Sequence, residues 1–362
     1  MTSAEKVYPA QRVQEFCAEC LIKAGLSPDR SAIVAESLLC AEARGIYSHG
    51  VVRLGDYLNR VKAGVMKLEA PVVAETDAEA VALLNANNTF GQIAGHKAMT
   101  LAIDKAKLYG TGVVAVKNSN HFGIAAYYAM MALKEGMVGC VFTNASPAMA
   151  VYGTKPPLIG TNPIAIAIPA GDHFPIVLDM STSVVARGKI RYAAVTGHPI
   201  LPGWARDSDG KPTQDAQAAL KGTLEPVGGP KGSALSLIVD ILCGVLTDTV
   251  LTGGVKNITD TSGPANTGHF FSALNVARFI DLKRFTANVD AVIEHIKGLP
   301  PVDGGEIFMP GEIEYLASAK RMKEGLPLTG ELVRTLNAVG ARYGAQLWPR
   351  SNARRRSYGE EG

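Results

Sequence analysis

No G-x-G-x-x-G run occurs among the 362 residues, so an ordinary Rossmann dinucleotide loop lacks its signature, and no Walker-type P-loop spacing supports a nucleotidase. A G-x-S-x-G nucleophile elbow is missing too, which removes the mark of an esterase of the α/β-hydrolase kind. Charge of one sign is scarce: 36 Lys and Arg against 33 Asp and Glu leave +3, spread along the chain apart from Arg354, Arg355 and Arg356. That balance carries no nucleic-acid or membrane footprint. Apolar runs such as Val138–Val141 and Leu235–Leu246 are too short or too interrupted for the ~20 residues of a bilayer-spanning helix. The five cysteines are odd in number and sit mostly in apolar runs, and the N-terminus has no signal-peptide pattern, so a reduced, cytoplasmic setting is expected. Cys17 and Cys20 form one C-x-x-C without a second pair and the seven histidines are scattered, so no metal site is expected.

What is present is a globular composition, 47% hydrophobic with 38 glycines and 20 prolines, long enough for roughly two domains at about 150 residues each. The first seventy residues read as helical. Ser27-Pro28-Asp29 supplies a cap and first turn, and Leu54, Tyr57, Leu58 and Val61 repeat on one helix face that Gly64 closes. From Ala80 short β-rich runs follow, at Ala80–Leu84, Gly112–Val116, Met137–Thr143, Ile164–Ile168 and Ile176–Leu178. Helical patterns over Ile93–Tyr109 and Ile124–Lys134 lie between them, while the pair from Ile164 to Leu178 has no helix between, which predicts a mixed α/β sheet. After a Gly/Pro-rich loop over Thr196–Gly210 come a buried helix over Ser233–Leu246, a strand over Phe270–Val276, and helices near Leu282–Lys297, Gly311–Lys323 and Gly330–Tyr343. The polar, basic stretch from Pro349 is expected to fray.

Three segments carry chemistry. His49 and Arg53 are four apart, which on a helix puts an imidazole and a guanidinium on one face. Such a pair suits a 2-hydroxy or 2-oxo acid, the arginine clamping the carboxylate and the histidine exchanging the neighbouring proton. A solvated helix start fits the same spacing. Asn118-Ser119-Asn120-His121-Phe122-Gly123 follows a strand and precedes a helix, which makes His121 a second acid/base candidate or part of a capping loop. Asp179-Met180-Ser181-Thr182-Ser183 ends a strand and leads to Arg187, Gly188 and Lys189, a combination that serves a phosphate or merely caps a helix. Gly228-Gly229-Pro230-Lys231-Gly232 holds the ingredients of an anion cradle, and His269 is either a strand-end site residue or a structural one.

Taken in order and spacing, Ser48-His49-Gly50, Asn120-His121-Phe122-Gly123, Gly160-Thr161-Asn162-Pro163, Leu178-Asp179-Met180-Ser181, Gly188-Lys189-Ile190, Gly203-Trp204-Ala205, Lys231-Gly232, Gly268-His269-Phe270 and Pro310-Gly311-Glu312 resemble the type-2 malate/L-lactate dehydrogenase family. Its relatives include ureidoglycolate, sulfolactate and diketogulonate oxidoreductases and piperideine-carboxylate reductase. The resemblance covers nearly the whole chain. It implies a non-Rossmann, mixed-sheet domain that binds NAD or NADP, in a homodimer, and so accounts for the missing glycine fingerprint. The implied plan is a helical segment over 1–75 with substrate and catalytic residues, an NAD(P)-binding α/β domain over 76–280, helices over 281–348 that return to the N-terminal segment, and a tail over 349–362.

By matching positions, His49 and His121 each look like the proton donor or acceptor, with Asp179 as support. Ser48, Arg53 and Thr161 look like substrate contacts, and Ser146, Asp179, Met180, Ser181, Lys231, Gly311, Glu312 and Ile313 look like cofactor contacts. Pro230 and Ser233 depart from the histidine and aromatic that many relatives place around the Lys-Gly pair, which leaves NAD against NADP open. The implied reaction is hydride transfer between a nicotinamide and C2 of a small 2-hydroxy or 2-oxo acid. A cyclic-imine reductase and a nucleotide-binding protein without turnover are the alternatives.

Overall fold

A computed structural model describes residues 6–250 and 252–347, so the stretch expected to fray lies outside the described residues. In chain order the strands are β1 (Lys6–Tyr8), β2 (Val73–Ala78), β3 (Val81–Asn85), β4 (Thr111–Ser119), β5 (Met137–Thr143), β6 (Ile164–Ile168), β7 (Ile176–Met180), β8 (Ala205–Arg206), β9 (Pro212–Thr213), β10 (Thr223–Leu224), β11 (Thr267–Asn275) and β12 (Leu326–Leu328). The α-helices are α1 (Ala10–Lys23), α2 (Pro28–Ala43), α3 (Leu54–Lys62), α4 (Gly91–Tyr109), α5 (Ala125–Ala129), α6 (Arg187–Thr196), α7 (Ala216–Lys221), α8 (Pro230–Asp240), α9 (Leu282–Lys297), α10 (Glu312–Glu324) and α11 (Gly330–Tyr343).

Seven strands form one sheet in the order β2-β3-β4-β11-β5-β6-β7. Only β3 and β4 pair in parallel, joined through α4, and every other ladder in this sheet is antiparallel, so the sheet is mixed as its sequence pattern predicts. Strand β11, the last to enter, takes the centre. Its Gly268 lies so close to the Cys243 carbonyl that a Cβ would fall 1.7 Å from that oxygen, which leaves room only for glycine. Alternation sets the buried face of each strand: in β5, Met137, Gly139, Val141 and Thr143 point inward. Gly110, with φ of 87°, closes α4 in the left-handed region that its missing side chain allows.

The main core lies between this sheet and α1, α2, α4, α5 and α11, with Phe16, Leu38, Leu84, Val114, Phe271 and Leu336 among its sealed side chains. A second, smaller core of Met149, Ile159, Ile190, Ala205, Ala219 and Leu224 holds α6, α7 and the β10-β8-β9 sheet together. Helix α10 packs on α2 and α11 packs on α1 and α3, while β12 pairs with β1. Helix α9 instead fastens the turn between β6 and β7, where the Asp290 carboxylate accepts the backbone N–H groups of Gly171, Asp172 and His173.

Three local expectations change. The N-terminal seventy residues are not wholly helical, because β1 at their start pairs with β12 from the far end of the chain, a partner that local periodicity cannot reveal. The expected helix over Ser233–Leu246 begins earlier, at Pro230, and widens into a π turn over Ile241–Val245. It is also buried on one face only: Ser236, Val239 and Cys243 are sealed, while Leu235, Ile238, Ile241, Val245 and Leu246 form an exposed apolar face. An all-round apolar helix reads as buried from sequence, yet here one face meets no partner among the described residues.

Candidate active site

The segment after α2 is shaped by a buried acid. Glu42, on the last turn of α2, accepts the Val51 N–H at 3.0 Å, and Gly50 lies against it so closely that a Cβ would fall 2.0 Å from the carboxylate. Burial pushes the Glu42 carboxyl up to about 7. Arg321 of α10 holds the same segment from outside, donating to the Ala43 carbonyl at 3.0 Å and to the Tyr47 hydroxyl at 2.6 Å. Tyr47–His49 and Val51–Arg53 are therefore two single 3-10 turns broken at an extended Gly50, rather than the continuous helix that the spacing of His49 and Arg53 suggests. Both side chains nonetheless line one cavity.

Arg53 donates from Nε to the Ser48 carbonyl at 2.6 Å and from Nη1 to Asp56 at 2.8 Å, which fixes the plane of its guanidinium. The Ser48 hydroxyl meets His49 Nδ1 at 2.8 Å. His49 stacks on His121, ring centres 5.2 Å apart and planes 22° from parallel. His121 stands just beyond β4, where buried Asn120 donates to Asn88 Oδ1 at 2.9 Å and to the Thr89 carbonyl at 2.8 Å. Its Nδ1 faces the Tyr57 hydroxyl at 2.8 Å and the Gly123 N–H at 3.4 Å. The Gly123 contact is long and the tyrosine hydroxyl can donate or accept, so Nδ1 can carry either the lone pair or the proton, and Tyr57 holds the ring in both tautomers.

Burial, helped by Arg53, pulls His49 down to about 4. Burial, then the neighbouring His49, Arg53 and His269, drives His121 well below the usual imidazole range. Two stacked imidazoles beside a guanidinium do not both hold an extra proton, so the pair is neutral at pH 7.

The cavity, of about 390 Å³, runs from this corner past Thr161, Asp179 and Ser181 to Ser146. Asp179, at the end of β7, accepts the Ala126 N–H at 2.9 Å, and burial pushes its carboxyl up to about 6. Asn162 orders the turn over 144–146 by accepting the Ala145 N–H at 2.9 Å and donating to the Ser236 carbonyl at 2.8 Å. Ser146 accepts from Asn257 at 3.1 Å. The fold thus brings together Ser48, His49, Arg53, His121, Ser146, Thr161, Asp179 and Ser181. No hydrogen bond links Asp179 to either histidine among the described contacts.

The other expected cofactor residues do not line the cavity. Met180 neighbours Asp179 on β7, and Lys231 is exposed at the start of α8. Gly311 packs on the Val177 carbonyl; Glu312 takes Lys297 at 2.5 Å and the Met309 N–H at 2.9 Å; Ile313 is exposed. His269 is sealed between Thr143 at 2.7 Å and Ser119 at 2.8 Å, which makes it structural. The C-x-x-C cysteines are buried and free, and among the described residues no group of three or more His, Cys, Asp or Glu could hold a metal.

Sequence reasoning passed over Tyr57, which is buried behind His121, and several residues that line the cavity. Tyr57 was legible only as a member of a helix stripe, although it stands four residues after Arg53 on the face that meets His121. Asn144, Arg191, Lys256 and Asn257 line the wall, on loops and a helix face with no motif of their own. Asn144 has the most pointed geometry: its Oδ1 accepts the Gly268 N–H at 2.8 Å, while its buried Nδ2 has no partner among the described residues.

Known proteins resemble this chain over most of its length. The chain is 39% identical over 323 residues to the malate/(S)-sulfolactate dehydrogenase of Methanothermus fervidus, covering 89% of this chain and 94% of that protein. The solved sulfolactate dehydrogenase of Methanocaldococcus jannaschii superposes with a TM-score of 0.89 at 35% identity, covering 94% of this chain and 98% of that one. Two relatives carry different nicotinamide cofactors in their names, the (2R)-3-sulfolactate dehydrogenase (NADP(+)) of Chromohalobacter salexigens, 35% identical over 84% of this chain and 90% of that protein, and the ureidoglycolate dehydrogenase (NAD(+)) of Escherichia coli, 30% identical over 87% and 90%. The sequence profile of the malate/L-lactate dehydrogenase family matches residues 8–337, and the chain belongs to that family.

Proposed function

We propose that the protein is an NAD- or NADP-dependent oxidoreductase that interconverts a small 2-hydroxy acid and its 2-oxo acid. The observation that carries this reading is the stacked His49–His121 pair, held by Tyr57 and flanked by Arg53, at one end of a cavity whose other walls offer polar donors. The residues present fit a nicotinamide cofactor. Asn144 Nδ2 is a buried donor that lacks an acceptor among the described residues, as an amide or phosphate oxygen would supply, and Arg187, Arg191 and Lys256 line the same cavity with positive charge. Ser146, Asp179 and Ser181 complete that half, and the bound nicotinamide would accept or supply the hydride.

The chain's own part is to hold the acid and move one proton. Arg53, its plane fixed by Ser48 and Asp56, anchors the substrate carboxylate, with Ser48 and Thr161 beside it. In the tautomer whose Nδ1–H donates to the Tyr57 hydroxyl, the lone pair of His121 is on Nε2, and there it takes the hydroxyl proton during oxidation. The depressed basicity of the empty site keeps His121 neutral and ready to act as a base. An arriving carboxylate offsets Arg53, raises that basicity and lets the imidazolium form for the reverse reaction. His49 stacks against it as the second acid/base candidate, and Asp179 borders the same space through the Ala126 N–H it accepts.

The reading includes a homodimer, for which the exposed apolar face of α8 and the π turn offers a surface, and a cytoplasmic setting in keeping with five free cysteines. Sedimentation at micromolar protein tests the dimer, a 38.1 kDa species speaking against it. Fluorescence titration with NADH and NADPH, followed by a panel of 2-oxo acids and cyclic imines at the nicotinamide absorbance, tests the activity. Turnover of a 2-oxo acid is expected; binding without any turnover, or turnover of imines alone, would replace this reading with one of its alternatives.

A further inference from the structure

Among the described residues Arg60 is the largest side chain sealed in the interior, 1% exposed, and no carboxylate hydrogen-bonds to it, although the charge of Asp260 acts on it from nearby. A buried guanidinium needs acceptors, and here all of them are backbone carbonyls of one loop. Nη1 donates to Asn257 at 3.4 Å and to Asp260, and Nη2 donates to Gly263 at 3.2 Å. That loop, residues 255–266, has neither helix nor strand, so its carbonyls have no ladder to satisfy them. Its residues 255–259 line the cavity, and Asn257 reaches across to Ser146 on the side assigned above to the dinucleotide.

Arg60 belongs to α3, and Arg53, the residue that caps this helix, is followed by Tyr57 and Arg60 at helical spacing along one face. The first two serve the acid/base corner, at Ser48 and His121, and the third serves the opposite wall. One rigid helix therefore registers both walls against each other. We infer that Arg60 is a positioning residue that preforms the loop over 255–263 as the dinucleotide-side wall and locks it to the helix that carries Arg53 and Tyr57. This rests on the dinucleotide reading above for what the wall is for, and on geometry alone for what Arg60 does to it.

The test uses the full chain with Arg60→Lys, which keeps the cation and the apolar stem but loses the fork, and Arg60→Ala where that variant folds. Hydrogen exchange without cofactor reads the loop directly, through the amides of Lys256, Thr259, Asp260 and Ser262, each bonded within the loop. Both variants should exchange at these amides at least about tenfold faster than wild type, while amides of β4 and β11 keep their protection. Affinity for whichever of NADH or NADPH the wild type binds should weaken by about tenfold or more, with turnover at saturating cofactor within about threefold. Unchanged loop protection in Arg60→Lys overturns the inference, and so does faster exchange with undiminished nucleotide affinity. If the wild type binds neither nucleotide, the functional reading fails and this assignment of the wall fails with it; the exchange data then still report whether Arg60 orders the loop.

Discussion

Two histidine sites lie within one aromatic layer and differ in what surrounds them. His269 stacks on Phe122 at 4.4 Å, is closed off from solvent, and spends both ring nitrogens on hydroxyls, those of Thr143 and Ser119. His121, the residue before Phe122, spends one nitrogen on Tyr57, and its other nitrogen has no hydrogen-bond partner among the described residues, at a cavity shared with His49 and Arg53. Burial lowers the basicity of both, His269 to about 3. A depressed imidazole is thus no mark of function by itself; a free nitrogen facing a space that a substrate could fill is what separates the two.

The largest effect expected from this difference is on turnover. His121→Ala should lower kcat by about 10²–10⁴-fold, the range for a lost general acid/base, in steady-state assays with saturating cofactor. Next comes Arg53→Gln, which keeps a polar side chain but removes the charge. Loss of a charge-assisted hydrogen bond of about 1.5–3 kcal/mol predicts a fall in kcat/KM of roughly 10- to 100-fold, carried mainly by KM for the acid. An unchanged KM would remove Arg53 from the anchoring role.

On the sealed side, His269→Gln should leave turnover within about twofold and cost about 1–3 kcal/mol in chemical denaturation, because two buried hydroxyls lose their partner and Phe122 loses its stack. A large loss of turnover in a well-folded variant would erase the distinction between the sites. The smallest effect is one of pH. Folded His269 stays neutral down to about 3, whereas the unfolded chain takes up that proton below about 6.5, so the histidine's contribution to stability declines as pH falls through that window. Asp179 and Glu42 act in the opposite sense, since their raised values make the folded state bind more protons, and their contribution declines as pH rises towards about 6 and about 7. Both carboxyls are common to wild type and His269→Gln, so the difference between their stability curves should narrow as pH falls from about 6.5 towards about 3. A constant difference would show that His269 is not held neutral.

Much of the sheet was legible because β3, β5, β6 and β7 are short apolar runs with clear turn residues around them, and α4 and α9 begin and end where their periodicity does. The central place of β11 was not legible, since it depends on pairing with β4 and β5, more than a hundred residues earlier. Strand β1 and the small β10-β8-β9 sheet escaped for the same reason. In the site, polar residues at strand ends or inside recognisable motifs were found, as with His49, His121 and Asp179. Asn144 and the Asn257 loop were not, because their place is set by Asn162 and Arg60, side chains far away in sequence. Lys231 and Gly311–Ile313 show the converse: motif matches place them in a family pattern, while the single chain keeps them off the cavity lining.

The most direct test is the pH dependence of kcat/KM for oxidation of the 2-hydroxy acid, in wild type and in His121→Ala at its residual rate. The wild type should lose activity towards acid only below the usual imidazole value of about 6.5, as the neutral base becomes protonated, and this acid limb should be absent from His121→Ala. An acid limb unchanged in His121→Ala would contradict the assignment of proton exchange to the open histidine.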